Sequence, residues 1–453
     1  MPVFHKQSRW GASAEALWTW HNQRAGFDRL KPPWESLRIE SWEDVETGAN
    51  TQMAVRQFGI WWRWTSHIVE ATPNAGFTDS QEGGPFKSWL HTHRFVDGDG
   101  GGMLDDRIEY TLPLGALGQF VAGRAIAKTI GRGFRFRHRR TREDMIRHTS
   151  AALSPLRIAV TGASGLVGNA LCAFLQGGGH TVIRTTRRSP APDGWVTFDP
   201  ANGNIDTDAL EGLDAVVHLA GESISQKWTS EAKKRIVSSR VDGTTALAKT
   251  LAGLTNPPKT WVSGSAIGFY GSRGQERLDE TSEPGDGFLA DTCTAWEAAT
   301  AAAEESGIRV VHLRTGIVLT PEGGALKEQL TPFKMGVGGP IGGGDQWVSW
   351  ITRDDLLGLI LHAIATPELA GPLNGTSPNA VQQGMFAKTL GKVLRRPAFL
   401  PLPSFAIRTL FGEMGNNLVL QGQRVYPAVA LDTGYTFHHP DLEDALRFVL
   451  GAD

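Results

Sequence analysis

The tightest constraint on how this chain folds is a glycine-punctuated turn between an apolar strand and an amphipathic helix, in the segment LRIAVTGASGLVGNALCAFLQGGGHTVIRTTRR that begins at Leu156. Residues 156–160 read as a buried strand. Leu166, Val167, Ala170, Leu171, Phe174 and Leu175 then recur at helical spacing, and a second strand follows. The turn itself is Gly162, Ala163, Ser164, Gly165, Leu166, Val167 and Gly168. Gly162 permits the tight turn, Gly165 lets a pyrophosphate approach the backbone, and Gly168 lets helix pack on strand, while the N–H groups at the helix start receive phosphates. With a strand before it and a helix and strand after it, the turn reads as a dinucleotide site rather than a structural glycine turn.

The end of the second strand sorts the nucleotide. An NAD site offers an acidic residue there to bind the ribose hydroxyls, but this chain has Thr185, Thr186, Arg187 and Arg188. A guanidinium is a planar, charged fork suited to a 2′-phosphate, so NADP(H) is the expected cofactor, against the plainer reading of a surface arginine pair.

At 453 residues the chain exceeds one ordinary core, and two or three domains are expected. Its 45 basic and 47 acidic residues leave a formal charge of −2, which removes any chain-wide attraction to nucleic acid or anionic membrane. Cys172 and Cys293 are the only cysteines, so a disulfide framework and a multi-thiolate metal site are excluded. The start, MPVFHKQSRW, lacks the apolar stretch of a signal peptide, and no 18 uncharged apolar residues run together. A soluble, cytoplasmic protein is expected.

Nine of the fifteen tryptophans precede residue 90, which marks the N-terminal third as a separate unit. The expected division is 1–150, 155–370 and 371–453, with the first boundary in residues 149–155 before the new strand. Ser13 is the expected N-cap of a helix carrying Leu17, Trp18 and Trp20. Strands follow: Trp89, His91, His93 and Phe95 share one face, as do Ile108, Tyr110, Leu112 and Leu114. Phe120, Ile126, Ile130 and Phe134 then predict a long amphipathic helix covering the sheet. His91 and His93 lack a third ligand at a recognisable spacing, so no metal site is expected. GRGFRFRHRRTR, residues 131–142, carries six arginines and no acid, and reads as a solvated helix end in preference to a nucleic-acid surface.

The order helix, antiparallel strands, long helix, together with HRFVDGDGGGMLDDRIEYTLPLG, resembles the START-related helix-grip superfamily of polyketide cyclases and lipid-binding domains over residues 1–148. That resemblance implies a cavity between sheet and helix for an apolar or aromatic ligand. Ordinary aromatic core is the competing reading.

From Leu156 onward, DAVVHLAGES, SRVDGTTALA, WVSGSAIGFYG and VVHLRTGIVL resemble the extended short-chain dehydrogenase/reductases, in particular an atypical nucleoside-diphosphate-sugar epimerase-like branch with its own tail domain. The fold so implied is an α/β, Rossmann-like, doubly wound parallel sheet with a small C-terminal domain, here preceded by an α+β helix-grip domain. The resemblance also implies that Leu219, Ala220 and Gly221 face the cofactor after the fourth strand and that Asp199 lies near the adenine.

The usual proton-transfer pair of that family, Tyr-x-x-x-Lys, is absent: Tyr110, Tyr270, Tyr426 and Tyr435 are followed four places on by Leu114, Gly274, Ala430 and His439. Cys293 stands where the tyrosine is expected and Glu297 where the lysine is expected. Arg240 replaces the customary asparagine, and a compensating Arg240–Glu297 pair is the expectation. Ser263 and Ser265 follow the fifth strand, and Ser265 and Tyr270 are the candidate catalytic residues, against the plainer reading of Tyr270 as a packed loop tyrosine. Cys293 is read as small-residue packing. Residues 336–344 read as a flexible loop before Trp347, Trp350, Arg353, Asp354 and Asp355, with Asp354 expected to cap a helix.

Three functions fit these residues: hydride exchange with a small carbonyl or alcohol or redox epimerisation, a non-catalytic nucleotide sensor, and an apolar-ligand carrier. The small-molecule substrate, the apolar ligand and any oligomer are left unnamed by the sequence.

Overall fold

A computed structural model describes residues 1–57, 59–99 and 101–452. Gly100, within the segment HRFVDGDGGGMLDDRIEYTLPLG, and Asp453, at the end of the expected tail, lie outside the described residues. The chain forms two compact units, residues 1–150 with 176–178, and residues 151–175 with 179–452.

In the first unit, β1 (Val3–Arg9) leads to α1 (Ala14–His21) and α2 (Arg24–Leu30). Then come β2 (Leu37–Ser41), β3 (Asn50–Gln57), β4 (Ile60–Thr72), β5 (Gly76–Gln81), β6 (Ser88–Val96), β7 (Met103–Thr111) and the 37-residue α3 (Gly115–Ala151). The seven strands form one antiparallel sheet in the order β1-β7-β6-β5-β4-β3-β2. Ser13 caps α1, its Oγ accepting from the Ala16 N–H at 3.2 Å. Ile108, Tyr110 and Leu112 pack against Ile130 and Phe134 of α3, with Ile126 at their edge, which is the grip of helix on sheet.

Two expectations fail at the junction of β7 and α3. The strand ends at Thr111, and Leu114 sits in the following turn at φ 63°, 79% exposed. Phe120 is 89% exposed, because the sheet covers α3 only from about its third turn onward. The arginine run is also not a helix end. It lies inside α3, Arg132 and Arg140 stack on Trp34 and Phe136, and only Arg135 and Arg142 of the six are exposed. A cavity of about 190 Å³ opens within this unit, lined by Trp64, Phe77, Trp89 and Phe134 among others.

The second unit begins with β8 (Arg157–Thr161), α4 (Gly168–Gly177), β9 (Thr181–Thr186), β10 (Trp195–Asp199), β11 (Asn204–Ile205), β12 (Ala215–His218), α5 (Ser230–Ala252), β13 (Thr260–Ala266) and α6 (Phe288–Ala298). With the strands Arg309–Thr315 and Gly371–Gly375 it builds an eight-stranded sheet in the order β11-β10-β9-β8-β12-β13, then those two; only β11 runs antiparallel. Helices cover both faces. Ile158 and Val160 pack with Leu171 and Phe174 on one side, while Ala159, Val216 and Trp261 pack with Leu247 and Leu251 on the other, as period-two alternation in a doubly wound sheet requires. At the expected boundary, Gly371–Gly375 forms the last strand of the sheet, and Tyr435 and Phe437 pack in the core with Ile351 and Leu373. Among the described residues, no helix is long and apolar enough to cross a membrane.

Candidate nucleotide site

β8 and β12 are neighbours at the point where the strand order reverses, so the loops after them flank one crevice. Gly162 opens the first loop at φ 68°, and a Cβ there would lie 2.8 Å from the carbonyl carbon of Leu219. A Cβ on Gly168 would stand 2.2 Å from the Gly162 carbonyl oxygen, and one on Gly165 3.1 Å from the same atom. The glycines therefore keep strand, turn and helix close, as a phosphate cradle needs, and no acidic side chain occupies the first turn of α4. Ala163 is buried, Ser164 exposed, and Leu166 and Val167 half-buried at the lip.

Leu219, Ala220 and Gly221 form the opposing lip. Thr161 ties the two together, its Oγ1 accepting from the Ala220 N–H at 3.3 Å and lying 2.6 Å from Nδ1 of His218. Burial pushes the His218 imidazole down to about 4, so it is neutral near pH 7. Arg187 and Arg188 follow β9 with exposed side chains, while the Arg188 backbone is held by Thr186 and Thr197. Asp199 ends β10 on the same sheet edge, its carboxylate accepting from Asn202 Nδ2 at 2.7 Å.

From the end of β13 onward, Ser265, Tyr270, Glu297, Arg314 and Asn374 form a closed hydrogen-bonded network. Glu297 on α6 grips Arg314 of the strand Arg309–Thr315 through Nε–Oε1 and Nη2–Oε2 contacts of 2.8 Å each, and Ser265 donates to Glu297 Oε1 at 2.6 Å. Arg314 also donates to the Tyr270 hydroxyl at 3.0 Å, and that hydroxyl donates to Asn374 Oδ1 at 2.7 Å. Burial pushes Tyr270 up to about 12, which sets it apart from a proton donor working near neutral pH. Cys293 is buried, and that burial together with Glu297 pushes its thiol up to about 12.

The expected Arg240–Glu297 pair is not formed. Arg240 donates to the carbonyls of Glu222 and Ile236 and lies 5.0 Å from the centre of the Trp296 ring. Arg314 and Asn374, which complete the network instead, come from two distant strands, and no local spacing announced them.

The glycine loop at residues 336–344 is pinned rather than loose: Gly342 N–H bonds the Leu402 carbonyl, and a Cβ on Gly339 would lie 2.1 Å from the Leu400 carbonyl oxygen. Trp350 is fully buried, and Trp347 donates to Gln275. The cap of the helix Arg353–Ala365 is Thr352, not Asp354; Asp354 is buried in its first turn, and Asp355 accepts from the His438 and His439 N–H groups.

Comparison with known proteins agrees with this fold. Residues 158–374 match the NAD dependent epimerase/dehydratase family, residues 10–132 the polyketide cyclase/dehydrase and lipid transport family, and residues 402–449 a domain of unknown function. An epimerase family protein of Mycobacterium bovis is 40% identical, covering 64% of this chain and 96% of that protein. The crystal structure of a nucleoside-diphosphate sugar epimerase from Corynebacterium glutamicum is 34% identical and covers 99% of this chain and 90% of its own, with a TM-score of 0.82. The human epimerase family protein SDR39U1, crystallised with NADPH, is 37% identical over 65% of this chain and 99% of its own, with a TM-score of 0.60.

Proposed function

Because the chain belongs to the epimerase family of NAD(P)-binding proteins, we propose that it binds NADP(H) in the crevice between β8 and β12 and exchanges hydride with a small carbonyl or hydroxyl compound. The observation that carries this reading is the glycine cradle followed, at the end of β9, by two exposed arginines and no carboxylate. The human relative crystallised with NADPH points the same way.

When bound, the dinucleotide supplies or receives the hydride. The chain's own residues do the rest. The Gly162–Gly168 turn and helix start hold the pyrophosphate, Arg187 and Arg188 hold the 2′-phosphate, and Thr161 with neutral His218 fixes the spacing of the two lips. Glu297 and Arg314 make a rigid polar wall where a tyrosine–lysine pair would otherwise work. With Tyr270 committed to Asn374 and Arg314, the proton that accompanies hydride comes from solvent or from the substrate.

That same closed network favours a second reading, a nucleotide-dependent regulator with no turnover. The discriminating experiment is loss of NADPH absorbance against a panel of small aldehydes, ketones and keto-sugars. Turnover supports the oxidoreductase, and tight binding with none supports the regulator. For the first unit, the aromatic-lined cavity supports an apolar or aromatic ligand, which mass spectrometry of material released on denaturation would identify.

A further inference from the structure

The cavity of the first unit has a polar end that its aromatic lining does not explain. Asp79 on β5 and His91 on β6 are directly paired across the sheet, and His93, two residues on, faces the same way. Asp79 Oδ2 lies 3.4 Å from His91 Nδ1 and 3.9 Å from His93 Nε2, and one donor atom from each of the three residues falls within 4.8 Å of the others. All three line the cavity and are more than nine-tenths buried.

His91 Nε2, His93 Nδ1 and Asp106 Oδ1 are buried and lack a well-aligned hydrogen-bond partner. His91 has no contact shorter than 3.4 Å to a carboxylate on either ring nitrogen. His93 Nε2 is too far from Asp79 to bond, and its Nδ1 stands 2.6 Å from Asp106 Oδ1 off the hydrogen-bond line. Ligands about 2.0–2.2 Å from a tetrahedral ion stand about 3.3–3.6 Å apart; the Asp79–His91 separation of 3.4 Å matches this, and the Asp79–His93 separation of 3.9 Å needs a small side-chain adjustment.

We propose that this polar end binds a divalent first-row transition-metal ion through Asp79, His91 and His93, leaving a coordination position open to the aromatic cavity.

Three further features support it. The other ring nitrogens, His91 Nε2 and His93 Nδ1, both lie near Asp106, at 3.5 and 2.6 Å, so that a small ring rotation on metal binding would give the carboxylate–histidine arrangement that orients metal-bound imidazoles. Asp106 is itself held by His138 Nε2 at 2.8 Å, and the second oxygen of Asp79 accepts from Ser66 at 2.8 Å. A dication also neutralises Asp79 and Asp106, two carboxylates buried within one side-chain cluster, while both imidazoles stay neutral.

The test uses the full chain, stripped with a chelator and dialysed against Zn²⁺, with bound metal measured by mass spectrometry, and Co²⁺ as a spectroscopic stand-in. Wild type should retain one ion per chain and give visible Co²⁺ bands of nitrogen–oxygen ligation. His93→Gln and Asp79→Asn should each weaken binding by about 100-fold or more, and Ser66→Ala by about 10-fold. Wild type that retains no Zn²⁺, or His93→Gln that retains as much as wild type, overturns the proposal. Should a variant not fold, wild-type Co²⁺ without those bands overturns it alone.

Discussion

Glu297 and Arg314 meet fork to fork, both contacts 2.8 Å long and both side chains no more than 10% exposed. The bond links α6 to the strand Arg309–Thr315. Removing one partner strands the other. Glu297→Ala should cost about 3–5 kcal/mol in urea unfolding, and Arg314→Leu should cost a similar amount. The double variant should lose much less than the sum, and the Glu297–Arg240 coupling should be the smaller of the two.

Gly168→Ala forces a Cβ to within 2.2 Å of the Gly162 carbonyl oxygen. It should destabilise the chain by about 1–3 kcal/mol and abolish nucleotide binding. Gly243→Ala is the matched control: it lies within α5, where a Cβ meets nothing closer than Pro200 at 3.8 Å. That change should be stabilising by about 0.5–1 kcal/mol in the same denaturation assay.

The folded-state value for His218 is about 4, against 6.5 when unfolded, because burial disfavours the charged ring. The unfolded chain therefore takes up this proton first as pH falls. The contribution is complete above pH 6.5 and is lost progressively down to about 4, to a limit of about 3 kcal/mol. Denaturation midpoints of wild type and His218→Gln, compared from pH 7 to 4, should converge as pH falls. A constant difference would contradict this.

Burial pushes Cys172 up to about 11 and Cys293 to about 12. Neither should react with a disulfide reagent at pH 8 in the native state, and both should react in denaturant. A fast native reaction at Cys293 would contradict this burial.

The cradle was legible because its whole argument is local. Strand, three glycines, helix and the threonine–arginine strand end lie within 33 consecutive residues, and each glycine has a steric reason visible in the spacing. The Glu297 partner was not legible. Arg240 is a plausible cation in sequence, but it turns to the Glu222 carbonyl, while Arg314 arrives through strand pairing of β13 with a segment some fifty residues away. Asp79 escaped for the same reason: its relation to His91 is a register across two strands, and a search for a third ligand at a fixed spacing along one strand passes over it. Phe120 shows the converse. Helical periodicity places it on the right stripe, but the sheet does not reach that far.

The most direct test of the central claim is calorimetric titration of the full chain with NADPH and with NADH, in wild type and in Arg187→Glu. Charge-assisted bonds to the 2′-phosphate contribute about 1.5–3 kcal/mol, so wild type should bind NADPH about 10–100-fold more tightly than NADH. Arg187→Glu should erase most of that preference and leave NADH affinity nearly unchanged. Equal affinity for the two nucleotides in wild type, or a preference untouched by Arg187→Glu, would contradict the assignment.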